Sequence, residues 1–259
     1  REEKDTMPAQ VTNYKCPTCT GPLHFVGASG KLECDYCGAS YDVAQIEALY
    51  AEKEGKAAAA QQSAEEKAAA EKKTAEQGVV IAMDNIVVNA RDVMKSNTVQ
   101  PETFVAGNFG KVGTIFNNKV TYESKSLRKH TYETPFDVTK LTKLPKVGIV
   151  YTHGGVEGIQ AQALVDAKYD GIVNAGVGNG NLHKAIFPIL EKAAKNGIAV
   201  VRSSRVPTGA TTKDAEVDDN KYGFVSSGTL NPQKARILLQ LGLTKTHDYK
   251  KLQEYFDQY

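Results

Sequence analysis

From Lys146 onward, short apolar runs alternate with helical patterns, and no other feature limits the fold as strongly. The apolar runs fall at 147–151, 171–175, 198–202 and 222–226. Helical stretches occupy 160–168, 182–196 and 232–243, and a last helix starts at Tyr249. Apolar, β-branched runs of this length without alternation read as strands buried on both faces. Strand, crossover helix, strand in repetition predicts a doubly wound α/β domain with right-handed crossovers. Asn231-Pro232 supplies the last part of that pattern with an N-cap and a proline in the first turn. Each strand runs into a loop rich in Gly, Ser, Thr or Asn, at the sheet edge where open α/β folds bind ligands. The loop Gly176-Val-Gly178-Asn-Gly180 lacks the third glycine of G-x-G-x-x-G, so a dinucleotide site using Arg202 or Arg205 on a 2′-phosphate is not expected.

All four cysteines lie near the other end, as Cys16-Pro-Thr-Cys19 and Cys34-Asp-Tyr-Cys37. A short alternating segment and a Gly-Ala-Ser-Gly turn separate the pairs. Two C-x-x-C knuckles joined by a hairpin bring four thiolates to the corners of a tetrahedron, which suits Zn²⁺. Gly21 and Gly38 follow the knuckles and are expected to take the left-handed conformation that aims amides at sulfur. Cys16, Cys19, Cys34 and Cys37 are thus the expected ligands of a structural zinc. Four protein ligands close the site, leaving no open position for catalysis. His24 reads as a strand side chain, and Tyr36, Tyr41 and Tyr50 as core or cover residues. The spacing resembles the zinc ribbons of general transcription factors and many small bacterial proteins. Lys15 and Lys31 face Glu33, Asp35 and Asp42 in this stretch, so the clustered basic charge of a nucleic-acid module is absent.

Residues 46–77 are dominated by Ala, Glu, Lys and Gln, the strongest helix formers, with Glu52 and Lys56 at a favourable i, i+4 spacing. Beyond Tyr50 nothing apolar is larger than Ala. Such a helix has no face to bury and predicts a spacer of roughly 50 Å. A coiled coil would need Leu or Ile at its a and d positions. Gly78 is expected to end the helix. Next come Val79-Val-Ile-Ala-Met83, a turn at Asp84-Asn85, and Ile86-Val-Val88, a predicted hairpin, then short strands near 113–116 and 119–123. A net charge of +2 favours neither nucleic acid nor membrane, and no apolar run reaches the ~18 residues of a membrane span.

Longer motifs then carry a resemblance. Arg91-Asp-Val-Met-Lys95-Ser-Asn-Thr98, Pro135-Phe-Asp-Val138 and Ala175-Gly-Val-Gly-Asn-Gly-Asn181 are three of them. Val201-Arg-Ser-Ser-Arg205, Asp214-Ala-Glu-Val-Asp-Asp219 and Leu230-Asn-Pro-Gln-Lys-Ala-Arg236 are the others. Together they resemble bacterial type II L-asparaginases over residues 78–259. The resemblance implies an amidohydrolase that converts L-asparagine, and more weakly L-glutamine, to the acid and ammonia without a catalytic cofactor, as a homo-oligomer. It assigns Lys95 to proton handling in catalysis. It assigns Asn181 and Glu216 to binding the substrate's α-amino group in a neighbouring subunit's site. The family also carries Thr-Gly-Gly-Thr-Ile and His-Gly-Thr-Asp-Thr, which hold its reacting threonines, and neither string occurs here. Thr152-His153-Gly154-Gly155 follows a strand that matches the family's second domain and continues Val-Glu instead of Thr-Asp.

The expected organisation is a tail (1–10), a zinc ribbon (11–45), a helical spacer (46–77), a remnant of the asparaginase amino-terminal domain (78–123), a linker (124–145) and the asparaginase carboxy-terminal domain (146–259). The remnant is expected to expose sheet edges and apolar faces. Three functions fit: a partial asparaginase subunit inactive alone, a non-enzymatic zinc-ribbon adaptor, or a chimeric reading frame with no selected activity. No nucleic-acid or membrane partner is expected. The charged residues 1–10 carry no signal-peptide pattern, which points to the cytoplasm, whereas asparaginases are often periplasmic.

Overall fold

The computed structural model describes residues 14–259, so the expected tail at 1–10 and the first three ribbon residues lie outside the described residues. Its contacts divide the chain into two compact units between Lys73 and Thr74.

In the first unit, β1 (Leu23–Val26), β2 (Lys31–Cys34) and β3 (Ser40–Asp42) form an antiparallel meander, with Leu23 opposite Cys34 and Lys31 opposite Asp42. Helix α1 (Val43–Ala75) follows directly. Its first turns belong to the ribbon. Ile46 is buried, and Tyr50 stacks edge-on against Tyr14 at 5.0 Å. The Lys15 amide donates to the Tyr50 hydroxyl at 2.7 Å, and that hydroxyl donates to the Lys15 carbonyl at 3.2 Å. From Ala51 to Ala69 every side chain is exposed, and Lys56 pairs with Glu52 at 2.6 Å. The helix stands on propensity and i, i+4 pairs, as its composition requires.

In the second unit, β4 (Val80–Met83), β5 (Ile86–Asn89), β8 (Gly113–Phe116) and β9 (Lys119–Tyr122) form an antiparallel sheet in the order β4-β5-β8-β9. Between them β6 (Met94–Lys95) pairs with β7 (Phe104–Val105). Both hairpins turn on two residues of positive φ, Asp84-Asn85 and Asn117-Asn118, as a type I′ turn demands. Val88, Val93 and Ala106 make a small core. The expected exposure is present: Val79, Phe109, Phe116 and Val120 are exposed, and among the described residues β4 has no neighbour on its outer edge. Residues 124–145 contain a single 3-10 turn at Thr131–Glu133. Phe136 meets the rings of Tyr255 and Tyr259 at 5.1 and 5.3 Å.

The remaining residues form α2 (Ile159–Asp166), α3 (Phe187–Lys195), α4 (Asp219–Tyr222), α5 (Pro232–Leu243) and α6 (Tyr249–Gln258) around a four-stranded parallel sheet. Its strands are β10 (Val147–Tyr151), β11 (Gly171–Gly176), β12 (Ala199–Ser204) and β13 (Phe224–Ser226), in the order β10-β11-β12-β13. Alternate residues of each strand serve opposite faces. Val173, Val201 and Val225 pack with Leu239, Leu252 and Phe256 from α5 and α6. Ile172, Val200 and Phe224 pack with Ala161 and Leu190 from α2 and α3. Two covered faces explain why the strands read as unbroken apolar runs.

Helix α3 starts five residues later than the expected 182. Pro188 lacks an N–H and fits only in a first turn, which fixes the start at Phe187. The Asn231 side chain accepts from the Lys234 amide at 2.9 Å, as its N-cap reading requires. Asn231→Ala should cost about 1 kcal/mol in urea denaturation; an unchanged midpoint would assign the stop to Pro232 alone.

Candidate functional site

Loops at the carboxyl ends of β11, β12 and β13 meet β6 around two adjoining cavities that share Ser204, Val206, Pro207 and Asn231. The first, about 310 Å³, reaches Gly178, Asn179 and Gly228. The second, about 420 Å³, is bordered by Lys95, Tyr151, Arg205 and Lys234. Lys95 is exposed, its ammonium 6.0 Å from the centre of the Phe104 ring. The Arg205 guanidinium lies 5.7 Å over Tyr151. Lys234 donates to the Arg91 carbonyl at 2.8 Å and to the Val93 carbonyl. Burial lowers the Lys234 pKa, with Asp92 opposing and Arg91 adding to the shift. The residues lining the larger cavity include three cations, no carboxylate and no threonine. Of its hydroxyls, Ser204 already donates to the Gly178 carbonyl at 2.6 Å.

Asn181 and Glu216 border neither cavity. Asn181 closes the loop after β11, its amide donating to the Val177 carbonyl at 2.9 Å. Its carbonyl accepts from Asn174 Nδ2 at 3.4 Å, and Asn174 Oδ1 accepts from the Thr152 hydroxyl at 3.0 Å. Thr152 is therefore a buried strut rather than a nucleophile, in keeping with its Val-Glu context. Glu216 is exposed in the loop between β12 and α4.

What fixes these loops is a fully buried ion pair. Arg202 Nε and Nη2 donate to the two carboxylate oxygens of Asp219, each at 2.6 Å. Nη1 donates to the Asn179 carbonyl at 3.1 Å and Nη2 to the Thr212 carbonyl at 2.9 Å. Asp219 also accepts from the Asp214 amide at 2.8 Å. The Asn179 side chain donates to the Thr212 hydroxyl and accepts from the Thr212 amide, both at 2.7 Å. A side chain at Gly180 would collide with Thr211, its Cβ only 2.6 Å from the methyl group, and φ there is +74°. The loop carrying Asn181 is thus stapled to the loop carrying Glu216. Arg202 is committed to this staple and unavailable to a phosphate. Sequence reading missed Asn174 and the Arg202–Asp219 pair. The available signal was a polar residue inside each of two apolar strands, where burial demands a partner.

In the first unit the Sγ atoms of Cys16, Cys19, Cys34 and Cys37 all lie within 4.8 Å of one another. Cys16 and Cys37 are 3.7 Å apart, and Cys19 and Cys34 3.4 Å. Four sulfurs at ~2.3 Å from one ion are about 3.8 Å apart, so the set fits a tetrahedral zinc. Burial raises the Cys16 thiol, but the Tyr41 hydroxyl and the amides of Cys19 and Thr18 outweigh it and bring the pKa to about 6. The Gly21 amide lowers Cys19, but Cys34, Cys37 and burial push it up to about 12. Cys34 is lowered, chiefly by the Cys37 amide. Gly38 has φ +72°, as expected, but in the first knuckle Thr20 takes the left-handed turn, at +62°. Gly21 is needed for space instead: its Cβ would lie 2.7 Å from the Tyr36 ring and 3.2 Å from Cys34 Sγ. His24 pairs with Asp35 at 2.8 Å and stays outside the cluster. Tyr41 bonds Thr18 at 2.6 Å, whereas Tyr36 is largely exposed and lies over Gly21 as a cover rather than a core residue.

Residues 146–256 match the family model described as the glutaminase/asparaginase C-terminal domain, and residues 53–128 match that of the asparaginase N-terminal domain. L-asparaginase 2 of Escherichia coli K12 is 60% identical over 186 residues, 72% of this chain and 53% of that protein. A probable periplasmic L-asparaginase of Haemophilus influenzae is 57% identical over 183 residues, 71% and 52% of the respective chains. L-asparaginase 2 of Bacillus subtilis is 40% identical over 188 residues, 71% and 48%. The chain spans about half the length of the curated relatives it matches. The N-terminal match begins inside α1, upstream of the Gly78 boundary read from the motifs.

Proposed function

We propose, for a chain that carries a bacterial type II asparaginase segment, that this segment is an incomplete amidohydrolase subunit, silent toward L-asparagine on its own. The observation that carries this reading is the 420 Å³ cavity: it holds Lys95 and two further cations but no threonine. Hydroxyl attack on an amide needs the nucleophile and its proton acceptor within hydrogen-bond reach. Lys95 supplies the second without the first. In a completed site Lys95 handles the nucleophile's proton. Asn181 and Glu216, outside the cavity of their own chain, bind the substrate ammonium at a neighbouring subunit's site in a homo-oligomer. Glu216, an exposed carboxylate, suits that ammonium, and the staple on its loop fixes where it is presented.

The cysteine cluster is proposed to hold one structural Zn²⁺. Cysteines paired for metal rather than for disulfides suit a reducing compartment, and the cytoplasm is the compartment we infer. Thiol titration of protein trapped in cells tests this, and oxidised cysteines would overturn it. Among the described residues no helix is long and apolar enough to cross a membrane.

The test of activity is ammonia release from L-asparagine by purified chain of verified mass, made in a host lacking asparaginase. Silence is expected. Turnover abolished by Lys95→Ala would show that another hydroxyl of this chain serves as nucleophile. A second reading, a non-enzymatic adaptor, draws on the ribbon's exposed helix. It predicts that Cys16→Ser or Cys34→Ser dissolves a defined complex, and unaltered assembly in those variants would end it.

A further inference from the structure

We propose that Cys37 is an oxidation site: hydrogen peroxide joins it to Cys16 in a disulfide, and the ribbon gives up its metal and opens. The proposal rests on reading the four cysteines as a zinc site.

The four sulfurs are not equally covered. Cys16 and Cys34 are buried, Cys19 is half-buried, and Cys37 is exposed. The Tyr41 hydroxyl lies 3.6 Å from Cys16 Sγ. Cys34 Sγ sits beneath Gly21, where a Cβ would come within 3.2 Å of it. Around Cys37, by contrast, Asp35, Tyr36 and Gly38 are exposed as well. A thiol that coordinates a divalent cation is deprotonated outright, so all four are held in the reactive form. Access then decides which of them an oxidant reaches. Cys37 is the sulfur that a small molecule in solvent meets first.

A resolving partner stands beside it, because Cys16 Sγ is 3.7 Å from Cys37 Sγ. In the first step the Cys37 thiolate attacks one peroxide oxygen. An S–O bond forms, the O–O bond breaks, and hydroxide leaves and takes a proton from solvent. In the second step the Cys16 thiolate attacks the Cys37 sulfur. An S–S bond forms, the S–O bond breaks, and a second hydroxide leaves and is protonated. Two thiolates together lose two electrons, and the peroxide is reduced to two waters. Cys19 and Cys34, 3.4 Å apart, are left as a pair, whereas a structural zinc site needs four ligands. Besides the cysteines, only Leu32 and Ile46 are buried apolar side chains among the described ribbon residues, too small a core to hold the fold without the ion. Tyr50 is bonded to the backbone of Lys15, next to Cys16, so the first turns of α1 lose their anchor with it. The state of one exposed sulfur thus sets whether the ribbon is closed or open.

The test adds hydrogen peroxide to the purified, zinc-loaded full chain and follows metal release with a chromogenic chelator. Release about tenfold or more faster than without peroxide is expected. It should be accompanied by loss of the slow-exchanging amides of β1–β3 and by a Cys16–Cys37 disulfide in the peptide map. Dithiothreitol with added zinc should restore all three. Cys37→His keeps four ligands, three thiolates and one imidazole, and should hold zinc while slowing its release about tenfold or more. Should that variant bind no zinc, dimedone trapping in the unaltered chain decides, with Cys37 expected to be labelled first. Zinc retained by the loaded chain in peroxide overturns the proposal and leaves the zinc reading standing. A first label on Cys16, Cys19 or Cys34 does the same. A reduced chain that takes up no zinc removes the zinc reading, and the proposal with it.

Discussion

Asp219→Ala is expected to destabilise the 74–259 unit by about 3–5 kcal/mol, because it leaves the Arg202 guanidinium buried without its counter-charge. Both side chains are wholly inaccessible to solvent, and their bidentate contact is supplemented by the Asn179 and Thr212 carbonyls. The large effect comes from the unpaired charge, not from the worth of the pair itself. Replacing both members with apolar residues, as in Arg202→Met with Asp219→Leu, should therefore recover most of the loss. Urea denaturation of the three proteins decides the matter. A loss below about 1 kcal/mol for Asp219→Ala would mean that water reaches the arginine and the pair is not sealed. Amide exchange adds a functional reading: loops 177–181 and 211–218 should open locally in the single variant, since this pair staples them.

The second large effect concerns the ribbon. Apart from its cysteines, its buried apolar side chains among the described residues are Leu32 and Ile46. Two such side chains offset only a few kcal/mol of ordering entropy, so the fold needs another source of stability. The zinc proposed for the four cysteines would supply it; in zinc-finger peptides metal binding is worth about 10–16 kcal/mol at pH 7. Chelation, or Cys16→Ser, should melt β1–β3 and release Tyr50 from Lys15, seen as loss of slow-exchanging amides in 23–42. A metal-free ribbon that keeps those amides protected would sink the assignment. The pH dependence has a definite sign. Every ligand must give up its proton, and Cys19 starts from about 12. Zinc affinity therefore falls as pH falls, and acidification releases the metal.

Much of this architecture was legible in the chain. Unbroken apolar runs marked the parallel strands, Asn231-Pro232 marked the start of α5, and the cysteine spacing marked a cluster. Each is a local pattern with a local cause. What escaped depends on distant partners. Nothing near Arg202 announces that Asp219 lies against it, and nothing near Thr152 announces that its hydroxyl donates to Asn174 Oδ1 on the next strand. The first knuckle shows the same limit: Gly21 is required not by its own backbone but by the Tyr36 ring above it. At the site, Lys95, singled out by its motif, borders a cavity whose lining includes no threonine, and which side chains share a cavity is a matter of tertiary packing that a motif does not carry.

The anchoring of the antiparallel sheet also bears on how the chain is made. Arg91 donates to the Thr229 hydroxyl at 2.8 Å and to the Tyr259 backbone oxygen at 3.0 Å. Arg128 donates to the carbonyls of Phe256 and Asp257 at 3.2 and 2.8 Å, and Lys234 holds the carbonyls of Arg91 and Val93. Every one of these partners is synthesised after the sheet. From Arg128 to Tyr259 the ribosome adds roughly 130 residues, which takes about 7–26 s at ~5–20 residues per second. For that interval β4 and β5 have left the exit tunnel with their apolar run bare and their latch unbuilt. Nascent chains of this protein are therefore most exposed to chaperone capture, or to pairing with one another on a shared message, before the final helix docks.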